Sequence, residues 1–194
     1  MSHFFAYLAR MKYIERWGLM RNTQKENIQE HSLEVAFIAH SLAIIRNRIF
    51  GGAVNPERVA LLAMFHEASE VITGDLATPI KYFNPEIKNA YQAIEGLAKH
   101  RLLAMAPPEL KAEYQGLFFP ADDPVEREHL KLVKAADKLA AYFKCLEELK
   151  AGNREFSQAR KALKAQIDSL NLREIGYFME TFVPSLSLTL DELN

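Results

Sequence analysis

The run Phe65-His66-Glu67-Ala68-Ser69-Glu70 sets a histidine directly before one carboxylate and four residues before another. On a helix, residues four apart share a face and adjacent ones diverge by about 100°. The sequence therefore predicts His66 and Glu70 on one face, with Glu67 at its flank. Leu61, Leu62, Met64 and Phe65 make the stretch apolar. Polar groups there need a partner that offsets their desolvation, either a metal ion or a solvated groove. Two further polar residues interrupt apolar stripes on other helices. His31 heads the set His31, Val35, Ile38, Leu42 and Ile45, and Asp137 stands among Leu130, Val133, Ala140 and Phe143. Each alone reads as a hydrogen-bonded core group, an inward aspartate being rare unless paired. Together, His31, His66, Glu67 and Asp137 form a mixed nitrogen and oxygen set suited to one divalent transition ion such as Co, Mn, Fe or Zn. An octahedral ion held by four protein ligands keeps open positions for chemistry.

The elements that must position these residues all follow helical periodicity. Phe4, Tyr7, Leu8, Met11 and Ile14 predict an opening amphipathic helix that ends near Gly18. Arg16 and Trp17, at that end, read most simply as a solvated cation and a core anchor. Residues 18–27 are a polar connector, and Asn27 with Glu30 forms a capping box for a second helix closed by Gly51-Gly52. Asn55-Pro56 starts a third helix, which carries His66, Glu67 and Glu70 and runs out at Thr73-Gly74. Asp75 to Pro79 is loop. Asn84-Pro85 starts a fourth helix with Ile87, Tyr91, Ile94, Ala98 and Leu102 inward, ended by Pro107-Pro108. A short piece passes through Leu110 and Tyr114, and residues 116–124 read as loop. A fifth helix bears Asp137 and ends at Gly152. Two more follow from Phe156, Ala159, Leu163 and Ile167, and from Ile175, Phe178, Met179 and Phe182, with Pro184 as the stop. Leu186, Leu188 and Leu190 read as an extended tail. The class is all-α, a bundle of about six or seven helices.

At 194 residues the chain predicts a single domain spanning 1–194. Apolar residues are 49% and charged ones 25%, ordinary for a globular protein. With 24 basic against 25 acidic side chains, the formal charge of −1 argues against binding a nucleic-acid polymer. One small anionic ligand remains compatible with a local arginine. The single cysteine, Cys145, excludes an intrachain disulfide and reads as a core thiol. No apolar segment is long enough for a signal-peptide core or a membrane span, so the expected location is cytoplasmic.

The order His31, His66 with an acidic neighbour, and Asp137 resembles that of the HD-domain metal-dependent phosphohydrolases. Longer segments narrow the resemblance to the bacterial HD-domain 5′-deoxynucleotidases: Ser2-His3-Phe4-Phe5, Arg16-Trp17, Glu30-His31-Ser32, His66 to Glu70, Thr73-Gly74-Asp75-Leu76, Tyr142 to Leu149, and Phe182-Val183-Pro184-Ser185. The resemblance implies an HD-domain helical bundle that hydrolyses deoxyribonucleoside 5′-monophosphates to deoxynucleoside and phosphate. It implies metal ligation by His31, His66, Glu67 and Asp137, with His31, Glu67 and Asp137 also lining the substrate site. It further implies substrate contacts from Arg16, Trp17, Asp75, Leu76, Ala77 and Thr78, catalytic roles for Glu70 and Arg16, and a cytoplasmic homodimer.

The family's second motif is His-Asp, whereas this chain has His66-Glu67. The extra methylene moves the carboxylate by about 1.5 Å on a fixed backbone. A tolerated variant, a weakened homologue and an engineered substitution are the three explanations. The departure defines an alternative function, an impaired HD-like protein that binds metal and nucleotide as a sensor or regulator. A helical adaptor with satisfied core polar groups is the third reading. Another phosphomonoester, or a cyclic or triphosphate nucleotide, is the alternative substrate.

Overall fold

Three helices open with the same device, an Asn or Asp cap followed by proline in the first turn. The computed structural model describes residues 1–193. In chain order its helices are α1 (Phe4–Leu8), α2 (Ile28–Phe50), α3 (Pro56–Phe65), α4 (Glu70–Thr73), α5 (Thr78–Lys81), α6 (Pro85–Met105), α7 (Lys111–Phe118), α8 (Pro124–Lys150), α9 (Ser157–Ser169) and α10 (Arg173–Thr181). Among the described residues the β-structure is one isolated antiparallel bridge, Glu15 to Asn27. The all-α expectation holds, and seven of the helices run eight residues or more.

The caps explain where the helices start. Asn55, Asn84 and Asp123 accept hydrogen bonds from the backbone N–H groups of Arg58, Ile87 and Glu126 at 2.9, 2.7 and 2.9 Å. Pro56, Pro85 and Pro124 follow them, where a missing N–H costs nothing. Asn27 accepts from Gln29 and Glu30, both at 3.0 Å, and Glu30 reaches back to the Asn27 N–H at 3.4 Å, the expected capping box. Gly51 and Gly152, with φ of 70° and 85°, follow α2 and α8 in the left-handed conformation that glycine adopts without strain.

Several expectations need correcting. The opening helix stops at Leu8, and a 3₁₀ turn at Met11–Tyr13 replaces its continuation. Beyond it the chain must extend, because Ile14 and Arg16 pair with Ile28 and Glu26: Ile28 N–H donates to Ile14 O (3.0 Å) and Arg16 N–H to Glu26 O (2.9 Å). Helix α3 ends at Phe65, before the polar triplet, and α7 runs on to Phe118, which is buried in an aromatic cluster instead of lying in a loop. Ile94, Leu130 and Phe182 are exposed. The contact stripe of α6 is narrower than its periodicity and rests on Tyr91, Ala98 and Leu102. Leu186, Leu188 and Leu190 are exposed too, around 3₁₀ turns at Val183–Ser187 and Leu190–Leu193 in place of an extended tail. The Glu192 carboxylate closes the second turn by accepting from Thr189 N–H (2.7 Å) and hydroxyl (3.0 Å).

The chain forms two compact units. One comprises Met1–Arg21, Lys25–Leu33 and Met64–Asp122. Its core buries Phe4, Met11, Ile28, Ala68, Leu102, Ala106 and Phe118. The Phe4 ring lies 4.5 Å from Tyr114 and meets Phe118 edge-on at 6.2 Å. The other comprises Asn22–Gln24, Glu34–Ala63 and the chain from Asp123 onward. There α8 packs on α9, and Leu139 to Cys145 are buried on every side, marking α8 as this unit's central helix. Cys145 is a buried thiol, as expected. Among the described residues no helix is long and apolar enough to cross a membrane.

Candidate metal centre

Within the first unit, the start of α2 and the chain after α3 meet. The Asn27 cap fixes the first turn of α2, and His31, fully buried, donates its backbone N–H to Asn27 O at 3.1 Å. His66 and Glu67 lie on tight turns between α3 and α4 and not on one unbroken helix. Ala68, Glu70 and Ile72 donate backbone N–H groups three residues back, to Phe65, Glu67 and Ser69 at 3.1, 2.9 and 3.0 Å. The winding is tighter than α-helical, so the shared face predicted for His66 and Glu70 does not follow ideal helix geometry.

Here the Nε2 atoms of His31 and His66 lie 3.6 and 3.8 Å from Glu67 Oε1. These separations are too long for hydrogen bonds. Nitrogen and oxygen ligands about 2.1 Å from one ion sit roughly 3–3.5 Å apart, so a small adjustment brings this set onto a common ion. Potential ligand atoms of the three residues lie within 4.8 Å of one another. Two imidazoles and a carboxylate suit a transition ion better than Mg or Ca, which favour all-oxygen shells.

Arg16 is neither solvated nor remote from this set. Its Nη1 donates to Glu67 Oε1 at 2.5 Å and its Nε to Glu26 Oε2 at 3.1 Å, with 11% of the side chain exposed. Trp17 donates its indole N–H to the same Glu26 oxygen at 3.0 Å and is half-buried, a loop residue instead of a core anchor. Its φ of 59° places a bulky side chain in the left-handed region, a conformation costing about 1–3 kcal/mol that persists only where the surroundings over-determine it. Glu26 is thus the organising carboxylate of this loop, with Oε1 3.9 Å from His31 Nδ1. Sequence reasoning missed it. The one available signal was that a buried Arg16 would require an acidic partner.

Glu70 opens α4 and is buried. Burial first, then the charges of Glu67 and Asp75, push its pKa up to about 9, although Arg16 and Lys81 pull the other way. Its Oε2 has no hydrogen-bond partner among the described residues. Gly74, at φ 72°, turns the chain out of α4. Asp75 is raised from its ordinary value by burial and by Glu67, against the opposing pull of Arg16, Lys81 and a hydrogen bond from the Trp17 backbone N–H. Leu76 and Ala77 are half-buried, and Thr78 begins α5 exposed. Lys81, also unanticipated, bonds Glu95 at 2.9 Å, and its pKa rises because that partner outweighs the desolvation opposing it. Four carboxyl groups (Glu26, Glu67, Glu70 and Asp75) thus share this patch with Arg16 and with Lys81, which is itself paired with Glu95. Such a surplus favours a further cation. Asp137 belongs to the second unit, half-buried on α8 between buried Ala136 and Leu139.

The sequence model of the 5′-deoxynucleotidase YfbR-like family matches residues 3–186. A 5′-deoxynucleotidase of Vibrio cholerae is 55% identical over 193 residues, covering 100% of this chain and 98% of the relative. The 5′-deoxynucleotidase YfbR of Escherichia coli O1:K1 is 55% identical over 195 residues, covering 100% and 96%. Among solved structures, an HD-domain phosphohydrolase of Listeria innocua superposes with a TM-score of 0.81 at 22% identity, covering 95% of this chain and 88% of that one. An HD phosphohydrolase of cyanophage S-2L, bound to dA and one catalytic zinc ion, superposes with a TM-score of 0.66 at 22% identity, covering 95% and 96%. At that identity the two structures speak for the fold.

Proposed function

The chain belongs to the 5′-deoxynucleotidase YfbR-like family, and on that premise we propose that it hydrolyses deoxyribonucleoside 5′-monophosphates to deoxynucleoside and phosphate with one divalent transition ion. The observation that carries this is the convergence of His31, His66 and Glu67 beside Arg16 and a carboxyl, Glu70, whose pKa is raised into the range of proton transfer. The similarity favours the enzyme over the sensor or regulator, since the full-length relatives are named as 5′-deoxynucleotidases.

His31, His66 and Glu67 would hold the ion, with Asp137 as the fourth ligand, a carboxylate within a buried helical stretch. The ion, of cobalt or manganese type, supplies charge that polarises a phosphoryl oxygen. Arg16 pairs with the phosphate through charge-assisted hydrogen bonds, having been preset by Glu26. Glu70 exchanges the proton. Without the ion, burial and the charges of Glu67 and Asp75 keep its proton on; a cation bound at Glu67 would offset those charges and favour the carboxylate, the form that accepts from the attacking water. Trp17 walls the 2′ side of the sugar, and Asp75 to Thr78 border the 3′ side. In-line phosphoryl transfer needs position and charge neutralisation more than covalent help, so this set suffices. The whole chain 1–194 serves as one catalytic domain, working as a cytoplasmic homodimer.

Metal content after purification tests the centre. About one equivalent of transition metal is expected, and its loss is expected in His31→Asn, His66→Asn and Asp137→Asn. Retention of metal by all three variants would contradict the proposed centre. Light scattering tests the dimer.

A further inference from the structure

The segment Tyr142 to Leu149 contains a buried ion pair that the chemistry above does not use. Lys144 Nζ lies 2.5 Å from Glu148 Oε1, and both side chains are almost wholly buried. The pair grips a loop. Glu148 Oε2 accepts from the Thr23 hydroxyl at 2.7 Å, the Thr23 N–H at 2.9 Å and the Asn153 side-chain amide at 2.8 Å. Its Oε1 accepts from the Thr23 and Gln24 N–H groups at 3.1 and 3.2 Å, and Lys144 donates to the Gln24 carbonyl. Two amides and one carbonyl of consecutive residues are therefore fixed at one point.

That point is the tip of the excursion between the backbone-paired residues Arg16 and Glu26. Gln24 is two residues from Glu26, a reach of at most about 7 Å of chain. Glu26 in turn holds the Trp17 indole and the Arg16 guanidinium, and Trp17 keeps a left-handed backbone that would relax without constraint.

We propose that the Lys144–Glu148 pair is a positioning device: by clamping Thr23 and Gln24 it fixes Glu26, and through Glu26 it sets Trp17 and Arg16 for substrate. The inference rests on the reading that Arg16 and Trp17 contact substrate, but its test does not. Trp17 is the only tryptophan, so its fluorescence reports this loop alone.

The experiment compares the full-length protein with Glu148→Gln and Thr23→Val, and with Glu174→Gln, which breaks a different buried pair, with Arg46. Acrylamide quenching of Trp17 is measured without substrate, at temperatures where each variant is folded, beside KM and kcat for a deoxynucleoside monophosphate. Glu148→Gln should raise the quenching constant about threefold through local opening. It should also raise KM about tenfold, with kcat changed far less. Thr23→Val, which deletes one donor and no charge, should move both in the same direction by a smaller factor. Glu174→Gln should lower the melting temperature and move neither. Unchanged quenching in both Glu148→Gln and Thr23→Val would overturn the proposal and leave the pair a purely structural one. If the wild-type protein released no phosphate, the functional reading would fail while the quenching result still judged the clamp.

Discussion

Glu70 and Glu148 are both buried carboxyls, and their surroundings drive them in opposite directions. Glu148 is saturated by Lys144, Thr23, Gln24 and Asn153, and these partners outweigh its desolvation and hold its pKa well below the usual range. Glu70 faces Glu67 and Asp75, keeps one oxygen without a hydrogen-bond partner among the described residues, and rises to about 9. Burial is common to both, so burial is not what distinguishes them. A carboxylate whose lone pairs are all used is a structural part, whereas one left short of donors beside like charges is poised to exchange a proton.

This contrast is sharpest in the largest expected effect. Glu70→Gln should lower kcat by about 10²- to 10⁴-fold while leaving the melting temperature level or raised, because a neutral amide replaces a group that is already protonated in the ion-free protein. Steady-state phosphate release beside thermal unfolding checks both halves. Glu148→Ala should do the reverse first. Stranding buried Lys144 should cost about 3–5 kcal/mol in a urea titration. Equal stability losses in the two variants would break the distinction.

Ion binding ranks next. Added cobalt or manganese at a hundred times its Kd should stabilise the protein by about 2.7 kcal/mol, and His66→Asn should abolish the gain. Smallest per step is the pH dependence, at most about 1.4 kcal/mol per pH unit for each group. The Glu148 pKa is depressed on folding, so its contribution is present above the unfolded value of 4.5 and is lost as pH falls below it. The Glu70 pKa is raised, so its contribution is present below 4.5 and is lost as pH climbs toward about 9. Urea midpoints of ion-free protein should therefore decline on both flanks. Glu70→Gln should flatten only the alkaline one, and Glu148→Gln only the acid one.

The parts of the molecule legible in sequence are those set by neighbours in the chain. The Asn-Pro starts of α3 and α6, the Asn27 capping box and the buried stripe of α2 depend on residues within one or two turns, and all appear as read, whereas the Asp123-Pro124 start of α8 lies in what reads as loop. The opening helix failed as a reading because Ile14 to Arg16 extend to pair with a segment ten or more residues away, which local periodicity does not encode. The polar triplet showed through as expensive charge on an apolar stretch, but its tight turns did not, since the deciding hydrogen bonds reach back three residues instead of four. Glu26 stayed hidden in a run of connector residues with no apolar pattern to contradict. Glu148 stood in a motif, yet only the fold reveals that its donors come from Thr23 and Gln24.

Phosphate release by chelator-stripped protein resupplied with cobalt, manganese, zinc or magnesium, across matched deoxy- and ribonucleoside 5′-monophosphates and with Glu67→Asp run in parallel, tests the proposed activity most directly. Release that needs a transition ion and favours the deoxy substrates, from the chain carrying Glu67 as well as from Glu67→Asp, is the predicted result. Silence of the Glu67 chain with every ion and every substrate would contradict it.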